Sequence, residues 1–410
     1  MPFDVQHARE QFPALQQLER GRPPIFLDNP AGTQVPQAVI AAVSQYFRED
    51  NSNSGGYFAT SRRTDALKAA ARQTLAAFLN ASRPEEIVFG ANMTTLTFQM
   101  SRAIGRTLKP GQEIILTQMD HDANISPWAL MAEDRGLVVR WVRLDPETGT
   151  LDQASYRAAL NENTRLVCVG HAANALGTVN PIREMADLAH QAGAYVYVDA
   201  VQSAPHVLVD VQALGADFLV CSAYKFYGPH VGVLYGRHEL LESLPAYKVR
   251  PAGDSSPDKW ETGTGSYETI AGTKAAVEYL ASWGEGETLR ARLADSYRQI
   301  MDYEGQLTWQ LIEGLLSLPQ IEIRGIIDPT QAHYRVPTVI FRLSGCSPQA
   351  VAQALADEAI YVWSGHYYAV ETIKALGHEK DGGLVRMGIA HYNTADEIRR
   401  SLEILKTLSK

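Results

Sequence analysis

Between Glu86 and Gly236 the chain alternates short apolar runs with segments of helical periodicity, and few architectures accept that pattern. EIVFG, EIILT, LVVRWVRL and RLVCVG are rich in β-branched residues and too short for helices, so each reads as a strand. The segments that follow them, beginning near Thr94, Trp128, Tyr156 and Pro181, read as helices. Strand and helix in repeated alternation predict an α/β fold: a largely parallel sheet with helices on both faces.

The stretch Ala194–Pro229, AYVYVDAVQSAPHVLVDVQALGADFLVCSAYKFYGP, concentrates the chemistry. Its run Ala194–Val198 reads as a buried strand ending on a carboxylate, Asp199. A second run, Asp217–Cys221, ends on Ser222-Ala-Tyr-Lys225. Ligands of open α/β sheets gather beyond the carboxyl ends of the strands. An Asp and a Lys delivered there by neighbouring strands resemble a pyridoxal phosphate site, where a lysine forms the Schiff base and an acid pairs with the pyridinium nitrogen.

The chemistry explains the residue types. A lysine amine condenses with an aldehyde only when neutral, so burial or nearby cations must depress its pKa. The carboxylate keeps the ring nitrogen protonated and makes the ring an electron sink. Apolar Ala223, Phe226 and Tyr227 around Lys225, and the turn Gly228-Pro229 after it, set it apart from a solvated surface lysine. Ser222-x-x-Lys225 also matches the S-x-x-K of penicillin-binding enzymes, but neither S-D-N nor K-T-G accompanies it.

At 410 residues the chain exceeds what one hydrophobic core usually supports, so a large domain and a smaller one are expected. A net charge of -9 without a lysine–arginine block argues against a nucleic-acid or membrane partner. The charged start MPFDVQHAREQF predicts no signal peptide, and no apolar run approaches the roughly 20 residues that span a bilayer. Three cysteines without C-x-x-C spacing point to a reducing cytoplasm. Cys168 and Cys221 fall in apolar strand runs as inert core thiols, whereas Cys346, in Ser-Gly-Cys-Ser-Pro, is expected to be exposed. No metal site is expected.

Residues 1–35 read as an arm packing on the small domain, 36–275 as the large cofactor-binding domain, 276–319 as connecting helices and 320–410 as a small α+β domain. Pro36 opens a helix to about Glu49, and Arg62–Asn80 predicts another. After Gly236 a polar loop, RPAGDSSPDKWETGTGSYE, leads to helical sequence between roughly Ile270 and Leu318. Beyond it TVIFRL, AIYVWS and LVRMGIAHYN predict strands, with helices after Pro348 and at the end of the chain.

Ordered motifs extend over nearly the whole length: FLDNPAGT, EIVFGANMTT, DHDANISPW, HAANALGTVNPI, VDAVQSAPH, SAYKFYGP, WETGT and RMGIAHYNT. On these the chain resembles the class V aminotransferase family of fold-type I pyridoxal phosphate enzymes, in its cysteine desulfurase-like branch. The resemblance implies a large, mostly parallel sheet domain, a small α+β domain, pyridoxal 5'-phosphate as cofactor and a small amino acid as substrate. It implies that Lys225 carries the cofactor, Asp199 pairs with the ring nitrogen, Gln202 bonds the ring hydroxyl and His121 stacks on the ring and assists proton transfer. Asn174 is implied at the ring hydroxyl or the substrate carboxylate, and Arg386 as the clamp on that carboxylate. Met93 and Thr94, in the strand-to-helix turn after Asn92, are implied at the phosphate, with Ser222 adding a hydroxyl and Tyr224 lying beside the cofactor. Gly263 and Thr264 are implied to reach the phosphate of the other subunit of a homodimer.

Departures from the branch bear on function. Its desulfurases place a nucleophilic cysteine in a loop before the final strand, to accept sulfur as a persulfide. Here the matching segment is Trp363-Ser-Gly-His-Tyr-Tyr368-Ala, and Tyr368 stands at the cysteine position. Trp363 stands for an arginine, Tyr224 for the histidine before the lysine, and Asp122 for the second histidine after His121. A tyrosine cannot carry a persulfide. The expected activity is therefore a lyase that removes sulfur or another β- or γ-substituent from an amino acid without one. The alternatives are an aminotransferase or epimerase of the same family, and an inactive binding protein of the same fold.

Overall fold

Seven strands form the principal sheet in a computed structural model that describes residues 3–409. Their spatial order is Ile87–Gly90, Gly232–Gly236, Phe218–Ser222, Tyr195–Asp199, Thr164–Gly170, Glu113–Thr117, Val138–Val142. The inner strands are continuous apolar runs because both faces are covered. Val196, Val198, Leu219 and Cys221 enter one core while Tyr197, Phe218 and Val220 enter the other, the period of two that a strand imposes. Val138–Val142 is the open edge: Val138 and Trp141 are exposed, and Arg140 reaches Glu113 at 2.8 Å.

The parallel expectation holds with one reversal. Gly232–Gly236 runs antiparallel to both neighbours, Ile87–Gly90 and Phe218–Ser222. Its connection to Phe218–Ser222 is Ala223–Val231, shorter than the dozen residues a parallel crossover needs. That hairpin loop holds Lys225. Ala223 N–H closes it onto the Val231 carbonyl at 2.8 Å, and a side chain at Gly228 would come within 2.9 Å of the Ala223 Cβ.

A four-stranded antiparallel sheet follows, ordered Ile321–Arg324, Thr338–Leu343, Leu384–Gly388, Trp363–Gly365. The single strand expected for AIYVWS is two: Ile360–Tyr361 pairs with Ile25–Phe26 of the arm, and Trp363–Gly365 with Leu384–Gly388. The helix Leu289–Leu316 links a core of the large sheet to that of the small sheet, burying Leu293 and Ile300 in the first and Leu307, Leu311 and Leu315 in the second. No described helix is long and apolar enough to cross a membrane.

Candidate active site

Asp199 and Lys225 meet at the carboxyl edge of the large sheet because their strands are hydrogen-bonded neighbours, with Asp199 in register with Val220. Both line one cavity. The Asp199 carboxylate accepts the Val201 N–H at 2.8 Å. Burial raises its pKa to about 6, against the opposing pull of Lys225. Burial, reinforced by the Arg386 cation, lowers Lys225 to about 7 although Asp199 and Asp28 pull it up. The amine is thus largely neutral just above neutral pH, which condensation with an aldehyde requires.

The arm braces this lysine. Lys225 Nζ donates to the Pro30 carbonyl and sits 4.9 Å from the centre of the Tyr224 ring, which stacks on His230 at 5.0 Å. Thr33 Oγ1 accepts the Tyr227 N–H at 2.9 Å, and the Thr33 N–H donates to the Tyr224 carbonyl at 3.2 Å. The arm therefore packs against the lysine loop as well as pairing with Ile360–Tyr361.

At the other end of the cavity the helix Met93–Gly105 begins. Asn92 caps it, its Oδ1 accepting the Thr95 N–H at 2.8 Å, a bond typically worth about 1 kcal/mol. The Met93 N–H donates to Ser222 Oγ at 3.0 Å, so Met93 acts on the cavity through that hydroxyl. Among the described residues this leaves the Thr94 N–H and the Ser222 O–H free to donate, at a helix end that favours anions.

His121 lies along the cavity, its Nδ1 accepting the Ala123 N–H at 3.0 Å. Burial, with the nearby Lys225 and Arg386 cations, lowers its pKa to about 3. The ring is neutral with its proton on Nε2, a donor rather than a base. Tyr368 stacks on it, centroids 5.4 Å apart.

Gln202 lines the cavity with its amide N–H held on Thr338 Oγ1 at 3.0 Å. Asn174 donates from Nδ2 to the Tyr367 carbonyl at 2.9 Å, and its buried Oδ1 has no partner among the described residues. Arg386 is buried, donates from Nη1 to the Asn174 carbonyl at 2.9 Å and leaves Nε unpartnered. Burial lowers its pKa to about 10, so it remains a cation. Gly263 and Thr264 are exposed and do not line this cavity.

Sequence reading missed Asp120, which lines the cavity one residue before His121. Its carboxylate accepts from Thr117 Oγ1 and from Asn124 Nδ2 at 2.8 Å, and burial raises its pKa to about 7. Thr117, Asp120 and Asn124 stand three and four residues apart, a turn-like spacing that was the available signal. Asp28 was missed too: burial raises it to about 6, with Arg386 and Lys225 pulling it down. Its signal was a carboxylate closing the apolar run IFL. Cys346 is half-buried against the small-sheet core rather than exposed.

Similarity to known proteins points the same way. The family profile described as "Aminotransferase class-V" matches residues 25–400. A "Probable cysteine desulfurase" of Synechocystis sp. is 36% identical over 97% of this chain and 94% of its own length. A "Cysteine desulfurase" of Synechococcus elongatus is 35% identical over 97% of this chain, which spans 62% of that longer protein. Among solved structures, a cysteine desulfurase from Thermococcus onnurineus NA1 superposes with a TM-score of 0.88 at 27% identity, covering 100% of this chain and 98% of that one. With the profile spanning both sheets and the Synechocystis relative aligned over 94% of its own length, the chain belongs to the class-V aminotransferase family, in its cysteine desulfurase-like branch, with that family's fold-type I architecture.

Proposed function

We propose that the chain binds pyridoxal 5'-phosphate on Lys225 and removes sulfur, or another β- or γ-substituent, from an amino acid without a persulfide on the protein. The observation that carries the cofactor assignment is the lowered pKa of Lys225 in a cavity shared with the buried Asp199. The donor set fits the group. The Thr94 N–H and Ser222 O–H suit a phosphate, Asp199 a ring nitrogen, and the unpartnered Asn174 Oδ1 a hydroxyl or imine proton. The cofactor, when bound, supplies the electron sink. Arg386 holds the substrate carboxylate, Lys225 moves the α-proton, and His121 covers the ring and donates from Nε2. Gly263 and Thr264, on an exposed loop, serve the partner's phosphate in a homodimer.

The absence of a persulfide step rests on where the thiols lie. Cys168 and Cys221 are fully buried, and burial pushes both thiols well above their usual pKa. Cys346 follows Leu343, the far end of the strand whose near end, Thr338, meets Gln202. Five residue steps at about 3.4 Å separate those ends by roughly 17 Å. Cys346→Ser is expected to release sulfide from L-cysteine at the parent rate. A persulfide found on Cys346 by mass spectrometry, with sulfide release lost in the serine variant, would instead make this a desulfurase with a relocated nucleophile.

The defining experiment incubates the reconstituted enzyme with a panel of amino acids, scoring sulfide, pyruvate, ammonia and amino transfer to a keto acid. Sulfide or pyruvate supports the lyase. Amino transfer alone, or racemised substrate, assigns the protein to the transferase or epimerase alternative, and no turnover to the inactive one. Arg386→Lys keeps the charge but loses the planar fork. It is expected to raise the apparent substrate constant about ten- to a hundredfold while the cofactor spectrum stays unchanged. Parallel loss of the spectrum would make Arg386 structural.

A further inference from the structure

We propose that Tyr367 is a positioning residue that fixes the plane of Arg386 for a carboxylate, an inference that rests on reading Arg386 as the substrate clamp. Three contacts close a ring around the guanidinium. Arg386 Nη1 donates to the Asn174 carbonyl at 2.9 Å, and Asn174 Nδ2 donates to the Tyr367 carbonyl at 2.9 Å. The Tyr367 ring then covers the guanidinium, 4.5 Å from its centroid to the guanidinium carbon. A cation at that distance is held by the ring's negative face. The Tyr367 hydroxyl donates to the carbonyl of Leu384, on the strand that carries Arg386.

The backbone here is unusual and well supported. Tyr367 and Tyr368 have φ of 53° and 59°, a left-handed pair that residues other than glycine adopt only where their surroundings hold it. Those surroundings are present. Tyr368 accepts the Asp122 N–H at 2.7 Å and donates its own N–H to His366 Nδ1 at 3.1 Å. Trp363 pairs in register with Arg386, which fixes the loop's base to the same strand. The segment is thus held in place against Arg386 and His121.

Two consequences follow for recognition. With one face covered by Tyr367 and Nη1 bound to the Asn174 carbonyl, the guanidinium plane is held from two sides while Nε has no partner among the described residues. Asn174 spends one of its two amide N–H groups on Tyr367, which fixes the amide plane and presents the buried, unpartnered Oδ1 as an acceptor.

The test titrates the reconstituted enzyme with L-cysteine and with cysteamine, which differs by lacking the carboxylate, reading the cofactor's visible absorbance. Tyr367→Leu is expected to raise the apparent constant for L-cysteine about tenfold and leave that for cysteamine within about twofold. Tyr367→Phe, which retains the ring, is expected to restore L-cysteine binding to within about threefold of the parent. In the cofactor-free protein, Arg386 is expected to react with phenylglyoxal faster in Tyr367→Leu than in the parent. If Tyr367→Leu does not load the cofactor, Tyr367→Met, closer in volume, replaces it. Equal shifts for both ligands, an unchanged L-cysteine constant or unchanged phenylglyoxal reactivity would overturn the positioning role while Arg386→Lys still weakened L-cysteine alone. Arg386→Lys binding both ligands as the parent does would overturn the clamp reading, and the role of Tyr367 with it.

Discussion

Lys225→Ala is expected to lose covalent cofactor and to lower turnover by about a thousandfold or more, because one amine serves as anchor and as proton carrier. Borohydride treatment of the loaded parent is expected to fix the cofactor on Lys225, read by peptide mass. Label on another lysine, or no visible absorbance after reconstitution, would remove the central claim. The loading rate adds a pH signature. Burial and Arg386 bring the Lys225 pKa down to about 7, so its neutral fraction rises through that pH. At pH 8 roughly nine-tenths of the amine is neutral, against under about a hundredth for an ordinary lysine. Loading is therefore expected to climb between pH 6 and 8 and then level off. A climb that continues towards pH 10 would show that burial does not tune this amine.

Asp199→Asn is expected to retain cofactor while losing on the order of a hundredfold in rate, the usual cost of one preorganised electrostatic partner. The substitution is informative because the amide oxygen can still accept the Val201 N–H, so the strand end keeps its shape. What is lost is the negative charge that keeps a ring nitrogen protonated. The parent carboxylate, with a pKa raised to about 6, is ionised for the most part at pH 7.5. Asp120 has its pKa raised by burial and by Asp199 to about 7, so at that pH it holds a proton more often than its neighbour does. Turnover of Asp199→Asn near the parent rate, with a parent-like spectrum, would reduce Asp199 to a structural role.

Local order determined how much of this was legible. Runs such as YVYVD and FLVCS form strands because alternate residues must be buried on opposite faces, a property of a few adjacent positions. Their ends therefore announced Asp199 and Lys225 without tertiary information. The reversed strand was not read, because the apolar run VGVLYG carries no mark of direction and only the nine-residue connection Ala223–Val231, too short for a crossover, fixes it. AIYVWS was not readable as two strands, because only partners from the arm and from the last strand of the small sheet divide it.

The side-chain constellation lay beyond that reach. Asp120 follows a strand as an ordinary turn residue would, and its burial exists only once the chain has closed over it. Arg386 meets Asn174 across 212 residues of chain, and Asn174 meets Tyr367 across 193. Nothing in the local periodicity of any of the three segments encodes those meetings. The sequence by itself determined the elements and the residues at their ends, because those depend on neighbours within a turn or a pleat. The plane of Arg386, the free oxygen of Asn174 and the packing of Tyr367 and Tyr368 on Arg386 and His121 were decided by tertiary structure alone. Closing loops of about two hundred residues costs entropy that no single contact offsets, so these side chains converge only when both cores pack together.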